Sequence, residues 1–216
     1  MVAGAPLDFS GVTEAVVAEV AEEERAAGRT PYVIPVGGSS GVGVFGYVSG
    51  TAELVDQLAD AGEKPARLYY ASGSRGTQAG LTLGARLCSA GYDVYGVAVS
   101  AGEPEKIERA KRIANEAAER LGLAERLDRS DLFTDQGYIG EGYGIPTPGG
   151  LEAIELLAKT EAIVLDPCYT SKAMAALIDH VRKGLVRPDQ TIVFLHTGGM
   201  PAVFTSSFVA AWQDRK

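Results

Sequence analysis

Hydroxyl and glycine residues are concentrated in one short segment, SGSRGTQ (residues 72–78), directly before a predicted helix that starts at Ala79. The N–H groups at a helix N-terminus carry partial positive charge, glycines let the backbone close around an anion, and Ser and Thr hydroxyls donate further hydrogen bonds. The segment lacks the Gly-Lys-Ser/Thr ending of a nucleotide P-loop. It therefore predicts a cup for the phosphate of a cofactor or metabolite, with a plain tight turn as the alternative.

A second glycine-rich segment, Gly41-Val-Gly43-Val-Phe-Gly46, matches the dinucleotide fingerprint G-x-G-x-x-G between a predicted strand and a helix. A dinucleotide site also needs an acidic residue at the end of the next strand, to bind the ribose hydroxyls. That strand ends in Tyr-Tyr-Ala-Ser and has no acid. The pattern therefore disfavours an NAD-dependent oxidoreductase.

A third candidate segment, GYIGEGYGIPTP (residues 137–148), is long, rich in glycine and contains two tyrosines. Loops of this length without regular structure are uncommon unless they serve a site or are disordered. The residues alone leave both interpretations open.

These loops belong to a regular alternation of elements. Helices are predicted over residues 12–27, 44–61, 79–90, 104–121, 149–159 and 171–183, and strands over residues 32–36, 66–71, 92–99, 132–134, 162–165 and 191–196. Strands alternating with helices predict an α/β fold, a three-layer mostly parallel sheet with helices on both faces. Ligands bind such sheets at the carboxyl ends of the strands. The loops expected to meet there are residues 37–43, 72–78, 166–172 and 196–201.

Composition limits the partners. The chain has 216 residues, 46% of them hydrophobic, and a net charge of −8, which predicts one sizeable domain and disfavours nucleic acid and acidic membrane surfaces. A local nest of N–H groups still permits an anionic small molecule. Two cysteines and two histidines at unrelated spacings predict no metal site. Without a secretory pattern or an apolar run of membrane length, a cytoplasmic location is expected.

Four blocks extend the interpretation beyond spacing: PYVIPVGGSSGVGVFGYV, ASGSRGTQAGL, GYGIPTPGGLEAIELLAKTEAIVLDPCYTSKAMAALIDHVRKG and FLHTGGMPAVF. In this order, from Pro31 to Phe204, they resemble the D-cysteine desulfhydrase and 1-aminocyclopropane-1-carboxylate (ACC) deaminase family. The resemblance implies pyridoxal phosphate as cofactor and the tryptophan-synthase-β-like fold, called fold type II. It assigns residues 31–216 to the large domain of that fold and residues 1–30 to a helical remnant of the small domain.

The resemblance also implies roles for individual residues. The family's phosphate loop maps onto Ser72, Gly73, Ser74, Gly76 and Thr77. Its two tyrosines near the substrate and cofactor map onto Tyr143 and Tyr169, and a phenol there could shuttle a proton or fix the leaving group. A packed aromatic with a satisfied hydroxyl is the alternative for each tyrosine.

Two threonines favour one branch of the family. Thr170 stands where ACC deaminases have a glutamate facing the pyridine nitrogen, and Thr197 stands where they tend to have leucine. A neutral partner leaves the ring a weaker electron sink, which suffices for β-elimination of a good leaving group such as sulfide. The resemblance therefore implies a lyase that converts a small D-cysteine-like amino acid to pyruvate, ammonia and sulfide, with ACC deaminase-like activity as an alternative.

Several features depart from the family pattern. Arg75 replaces a small residue of the phosphate loop and could pair with the phosphate or with an anionic substrate tail. The family's GGSNPLG block here reads GGSSGVG and lacks its asparagine. Two family blocks are not found: the one with the lysine that forms the Schiff base, and a serine-asparagine loop that binds the substrate carboxylate. Lys172 opens a helix and is expected at the surface.

Three explanations compete for the missing blocks: a naturally split enzyme, a fragment, and a cofactor-site relic used for binding or scaffolding. An opening Met1 before a complete helix favours the split enzyme. We then expect a separate subunit that carries the Schiff-base lysine, and an oligomer.

Overall fold

The computed structural model describes the backbone of residues 9–215 and the side chains of residues 13–215. The helices in this range are α1 (Phe9–Ala26), α2 (Phe45–Ala61), α3 (Gly76–Leu87), α4 (Glu105–Arg120), α5 (Pro148–Thr160), α6 (Thr170–Arg182) and α7 (Ser206–Gln213). The strands are β1 (Arg67–Ser72), β2 (Asp93–Ala98), β3 (Thr134–Asp135) and β4 (Ile192–Phe194). Three short 3₁₀ turns cover Val36–Gly38, Arg129–Asp131 and Met200–Phe204.

The four strands form one parallel sheet in the order β3-β2-β1-β4. The central strand β1 has Leu68 opposite Val94 of β2 and Val193 of β4. Parallel strands need crossover connections, and helices supply them. The α/β prediction with a mostly parallel sheet is confirmed.

Side chains of β1 alternate between the two faces of the sheet, as the period of a strand requires. Tyr69 packs on one face in the same apolar cluster as Ala173 and Ala176 of α6. Tyr70 packs on the other face with Leu81 of α3 and with partly buried side chains of α2. Helices therefore cover both faces of the sheet.

Two predicted strands are wrong. Residues 32–35 and 162–165 have no regular secondary structure, Val36 begins a 3₁₀ turn, and neither segment joins the sheet. Tyr32 and Ile34 are 80% and 68% exposed, so that apolar run has no packing surface within the described residues. In the second segment the Ile163 N–H bonds to Leu157 O and Val164 O contacts the His196 ring, which replaces a strand ladder. A β-rich sequence forms a strand only where a neighbouring strand can pair with it.

The proposed boundary between residues 30 and 31 stays a prediction. Arg109 of α4 pairs with Glu14 of α1 at 3.3 Å, which ties the first helix to the body of the fold. Across residues 9–215 no helix combines the length and the apolar character that a bilayer crossing requires.

Candidate functional site

The four loops predicted to meet are brought together beside the carboxyl end of β1. Ser39, in the first loop, donates a hydrogen bond of 2.8 Å from its Oγ to Ser74 Oγ in the second. Gly73 of the second loop faces the third, because a Cβ on Gly73 would lie 3.7 Å from Cε1 of Tyr169. Gly199 of the fourth loop lies against Asp166 of the third. The loop prediction is confirmed by these contacts.

The glycine-rich segment of residues 137–148 completes the same site. Tyr143 and Tyr169 share a hydrogen bond between their hydroxyls, and their rings meet edge to face with centroids 5.8 Å apart. The structure thus brings the two predicted catalytic tyrosines together and places one of them next to the phosphate loop. Of the two interpretations left open for this segment, the structure favours a site.

Both phenols are held in the neutral form at ordinary pH. Partial removal from water, followed by the hydrogen bond to Tyr169, raises the pKa of Tyr143 above that of a free tyrosine. Burial also raises the pKa of Tyr169, although the hydrogen bond with Tyr143 opposes that rise. A neutral phenol is a proton donor, and it becomes a base only after it has given its proton away. The pair can donate, relay or hold a proton at its hydroxyl oxygens.

The segment of residues 72–78 has the geometry of an anion cup. The first backbone bond of α3 runs from Ala79 N–H to Arg75 C=O, so the N–H groups of the preceding residues lack an acceptor within the helix. A Cβ on Gly76 would lie 2.8 Å from Ser39 Oγ, closer than real side chains come, so glycine is required there. Ser74 and Thr77 are only partly buried. These donors fit a phosphate group.

The position of Ser72 in the sequence suggests a direct phosphate contact, but its hydroxyl bonds to other side chains of the loop. Its hydroxyl is buried, accepts a hydrogen bond from Arg75 Nη1 at 2.9 Å and donates one to Gln78 Oε1 at 3.4 Å. The signal was present in the alternation of β1, because Ser72 must share a face with Tyr70. Its hydroxyl therefore supports the loop from beneath.

Arg75 does not reach toward a phosphate or a substrate tail, and both of those expectations are wrong. The side chain is fully buried at a left-handed backbone position. It forms an ion pair with Glu103 and donates to Thr134 Oγ1 at 2.7 Å. Burial lowers the pKa of Arg75, and the charge of Glu103 opposes that shift. Glu103 neutralises the charge of the guanidinium inside the fold. The Arg75 side chain therefore supports the cup from beneath and does not bind an anion in it.

Lys172 is not at the surface, which corrects a second expectation. It lies in the first turn of α6 and is fully buried. Its Nζ donates to Ile139 O at 2.7 Å and to Gly142 O at 2.8 Å. A helix position in the sequence does not reveal that a distant loop covers that face of the helix.

Asp166 is a site residue that was not predicted from the sequence. One of its oxygens accepts from the N–H groups of Cys168 and Tyr169, both at 2.8 Å. The other accepts from the N–H and the hydroxyl of Thr170, both at 2.7 Å. A carboxylate is favourable at a helix N-terminus, and an Asp followed by a helix start in LDPCYTSK was the available signal.

Thr170 and Thr197 have different surroundings. Thr170 is fully buried, and its hydroxyl also accepts the Asp166 N–H at 2.9 Å. Thr197 is partly buried in the loop that brings Gly199 against the Asp166 carboxylate. Their cofactor contacts stay predictions. Among the residues with described side chains, no group of three or more His, Cys, Asp or Glu residues could hold a metal ion.

Known proteins resemble this chain in sequence and in fold. Residues 4–198 match the family model described as "Pyridoxal-phosphate dependent enzyme". The chain is 41% identical over 180 residues to D-cysteine desulfhydrases of Salmonella paratyphi C (strain RKS4594) and Salmonella choleraesuis (strain SC-B67). Each match covers 83% of this chain and 54% of the relative, so the chain spans about half the length of these curated relatives.

Two solved structures extend the comparison. The crystal structure of an ACC deaminase homologue is 34% identical with a TM-score of 0.73, and the match covers 94% of this chain and 59% of the other. O-ureido-L-serine synthase is 17% identical with a TM-score of 0.55 over 93% of this chain and 60% of the other. The second likeness concerns the fold alone.

Proposed function

Because the chain belongs to the family of pyridoxal-phosphate-dependent enzymes, we propose that it forms the phosphate-binding and tyrosine side of a desulfhydrase-like lyase site. The observation that carries the proposal is the convergence of Gly73, Tyr169 and Tyr143 in one place. A phosphate loop alone would fit many cofactors. A phosphate loop in contact with a pair of neutral phenols fits a site where protons move beside a bound cofactor.

Each part of this chain has a task in the proposed site. The α3 N-terminus, with Ser74 and Thr77, binds the cofactor phosphate through N–H and O–H donors. Pyridoxal phosphate supplies the electron sink for loss of a proton and of a β-substituent. Tyr143 and Tyr169 would hold or deliver a proton at their hydroxyls. Thr170 and Thr197 favour sulfide elimination, with pyruvate and ammonia as the other products.

The lysine that bonds to the cofactor is proposed to come from a separate polypeptide. Among this chain's own lysines, Lys172 lies near the tyrosines, but it is buried and its Nζ is hydrogen-bonded to two backbone carbonyls. Three consecutive exposed apolar side chains, Tyr32, Val33 and Ile34, support an interface, because a contiguous apolar surface is one that another chain covers. Oligomerisation and a cytoplasmic location belong to the same proposal.

Replacing Thr77 by valine is expected to weaken binding of the cofactor by tenfold or more. The change removes one hydroxyl donor to a charged phosphate, a bond of about 1.5–3 kcal/mol, and keeps the size of the side chain. Binding is measured by equilibrium dialysis of pyridoxamine phosphate, which has the same phosphate and ring but no aldehyde to react with surface lysines.

Thr160→Val is the matched control, because the Thr160 hydroxyl bonds to Leu156 O on exposed α5. It should bind like the wild type. Equal affinity of the Thr77 and Thr160 variants would contradict the phosphate role. If the wild-type chain does not bind the cofactor at all, the preserved loops are inherited architecture and a scaffold protein becomes the better interpretation.

The partner is tested by mixing the chain with candidate amino-terminal polypeptides and pyridoxal phosphate. A visible absorbance band of a lysine-bound cofactor should appear only in the mixture. Sulfide release from D-cysteine then distinguishes the lyase from an ACC deaminase, which would open the cyclopropane substrate instead. If no such polypeptide gives a complex or an absorbance band, the split-enzyme proposal is rejected.

A further inference from the structure

The first turn of α6 contains a charged side chain in an unfavourable place. Lys172 is fully buried, and an ammonium group removed from water is costly unless it is paired or hydrogen-bonded. A positive charge at a helix N-terminus also opposes the helix dipole. Burial lowers the pKa of Lys172, while the nearby Cys168 and Asp166 oppose that shift. The lysine is therefore kept in place by what its Nζ contacts.

Those contacts are both backbone carbonyls of the glycine-rich segment. Lys172 Nζ donates to Ile139 O at 2.7 Å and to Gly142 O at 2.8 Å. Gly142 directly precedes Tyr143 in the chain. The Lys172 N–H in turn bonds to Tyr169 O at 3.1 Å. Lys172 is thus hydrogen-bonded both to the segment that carries Tyr143 and to the backbone of Tyr169.

The start of this segment has its own anchors, from Tyr138 Oη to Asp179 and from the Gly137 N–H to Asp135, but the part around Tyr143 is rich in glycine. Gly140 and Gly144 have positive φ values of 69° and 74°, and Tyr143 itself is 52% exposed. Glycine-rich backbone has a high conformational entropy, which must be overcome by specific contacts. Two charge-assisted hydrogen bonds from a buried ammonium are contacts of the required strength.

We propose that Lys172 is a positioning residue that fixes the Tyr143 hydroxyl against the Tyr169 hydroxyl by tethering residues 139–142 to α6. Lys172 touches neither phenol oxygen in these contacts and acts through the backbone. The relevance of the pair to catalysis rests on the function proposed above. The tether itself does not, because it can be observed without any cofactor.

The test uses the full chain labelled with ¹³C at tyrosine Cζ, whose chemical shift reports the hydrogen bonding of each phenol. Tyr143→Phe should shift the Tyr169 signal in the wild-type background, since the two hydroxyls are bonded. In the Lys172→Met background the same Tyr143→Phe change should leave the Tyr169 signal in place. Lys159→Met is the matched control, because Lys159 lies in the last turn of α5 in an exposed pair with Glu155. There the coupling should persist.

Undiminished coupling in the Lys172→Met background would overturn the proposal. If that variant does not fold, the wild type provides the measurement: ¹⁵N-lysine labelling should reveal a slowly exchanging side-chain amine that belongs to Lys172, and Lys172→Gln should remove that signal. A wild-type chain in which every lysine amine exchanges rapidly would also overturn it. Failure of the chain to bind pyridoxamine phosphate, with the coupling intact, would reject the proposed function and leave the tether standing.

Discussion

Replacing Glu103 by glutamine is expected to lower the free energy of unfolding by about 3–5 kcal/mol, the cost of leaving one member of a buried pair uncompensated. The Arg75 side chain is fully buried and the Glu103 side chain is 12% exposed. Glutamine keeps the shape of glutamate and removes only its charge. The guanidinium would keep its neutral partners Ser72, Gln78 and Thr134 but lose its counter-ion. Urea unfolding midpoints measure the change.

Glu125→Gln is the matched control, since it removes the same charge from an exposed pair with Arg86. Surface pairs contribute within about 1 kcal/mol. A third variant, Arg75→Met with Glu103→Gln, should cost less than the sum of the single changes, because buried pairs are often replaceable as a unit. Equal losses from Glu103→Gln and Glu125→Gln would show that Arg75 reaches water in solution.

Glu103→Gln should also reduce the affinity of the chain for pyridoxamine phosphate. Arg75 contacts both ends of the phosphate loop from below, through Ser72 Oγ at 2.9 Å and Gln78 Oε1 at 3.0 Å. An anion cup binds well only when its donors are already in position, because ordering them on binding costs free energy. Stability and phosphate affinity are therefore linked through one buried ion pair.

The sequence predicted the parts of the fold that local pattern determines. The runs over residues 66–71 and 92–99 are apolar on both faces, as buried parallel strands require, and the structure has β1 and β2 there. The run at residues 32–36 is also apolar but has no strand to pair with in the described part of the chain, and it contains Pro35, which cannot donate to a strand ladder. The proline was a signal against a strand, whereas the pairing itself depends on residues far away in the chain.

In the candidate site, too, the sequence predicted what local pattern determines and not what depends on distant residues. Glycine and hydroxyl spacing identified the phosphate loop, and loop topology placed it beside the tyrosines. The side-chain directions predicted for Arg75 and Lys172 were wrong because their partners are distant in sequence: Glu103 lies 28 residues from Arg75, and the two carbonyls lie 33 and 30 residues from Lys172. A charged residue at the start of a helix is usually solvated. Only the three-dimensional structure reveals that a carboxylate or two carbonyls replace water.

Asp166→Ala is expected to cause the second large loss, in stability and in cofactor binding together. The carboxylate accepts from four donors, three of them buried: the N–H groups of Cys168, Tyr169 and Thr170 and the hydroxyl of Thr170. Hydrogen bonds to a charged acceptor contribute about 1.5–3 kcal/mol each, and unsatisfied buried donors add a penalty. Even with relaxation, we expect a loss of about 3 kcal/mol or more.

Asp166 also contacts the fourth loop. The effect of Asp166→Ala on cofactor binding can therefore be separated from its effect on stability. A Cβ on Gly199 would lie 2.6 Å from the Asp166 Cγ, and Gly199 has a φ of 94°, so the fourth loop closes directly on this carboxylate. Gly199→Ala should therefore reproduce the binding defect of Asp166→Ala from the other side of the contact. Asp189→Ala, which removes an exposed carboxylate paired with Arg187, should change neither property. If Asp166→Ala unfolds early but Gly199→Ala binds pyridoxamine phosphate like the wild type, the contact stabilises α6 and does not shape the site.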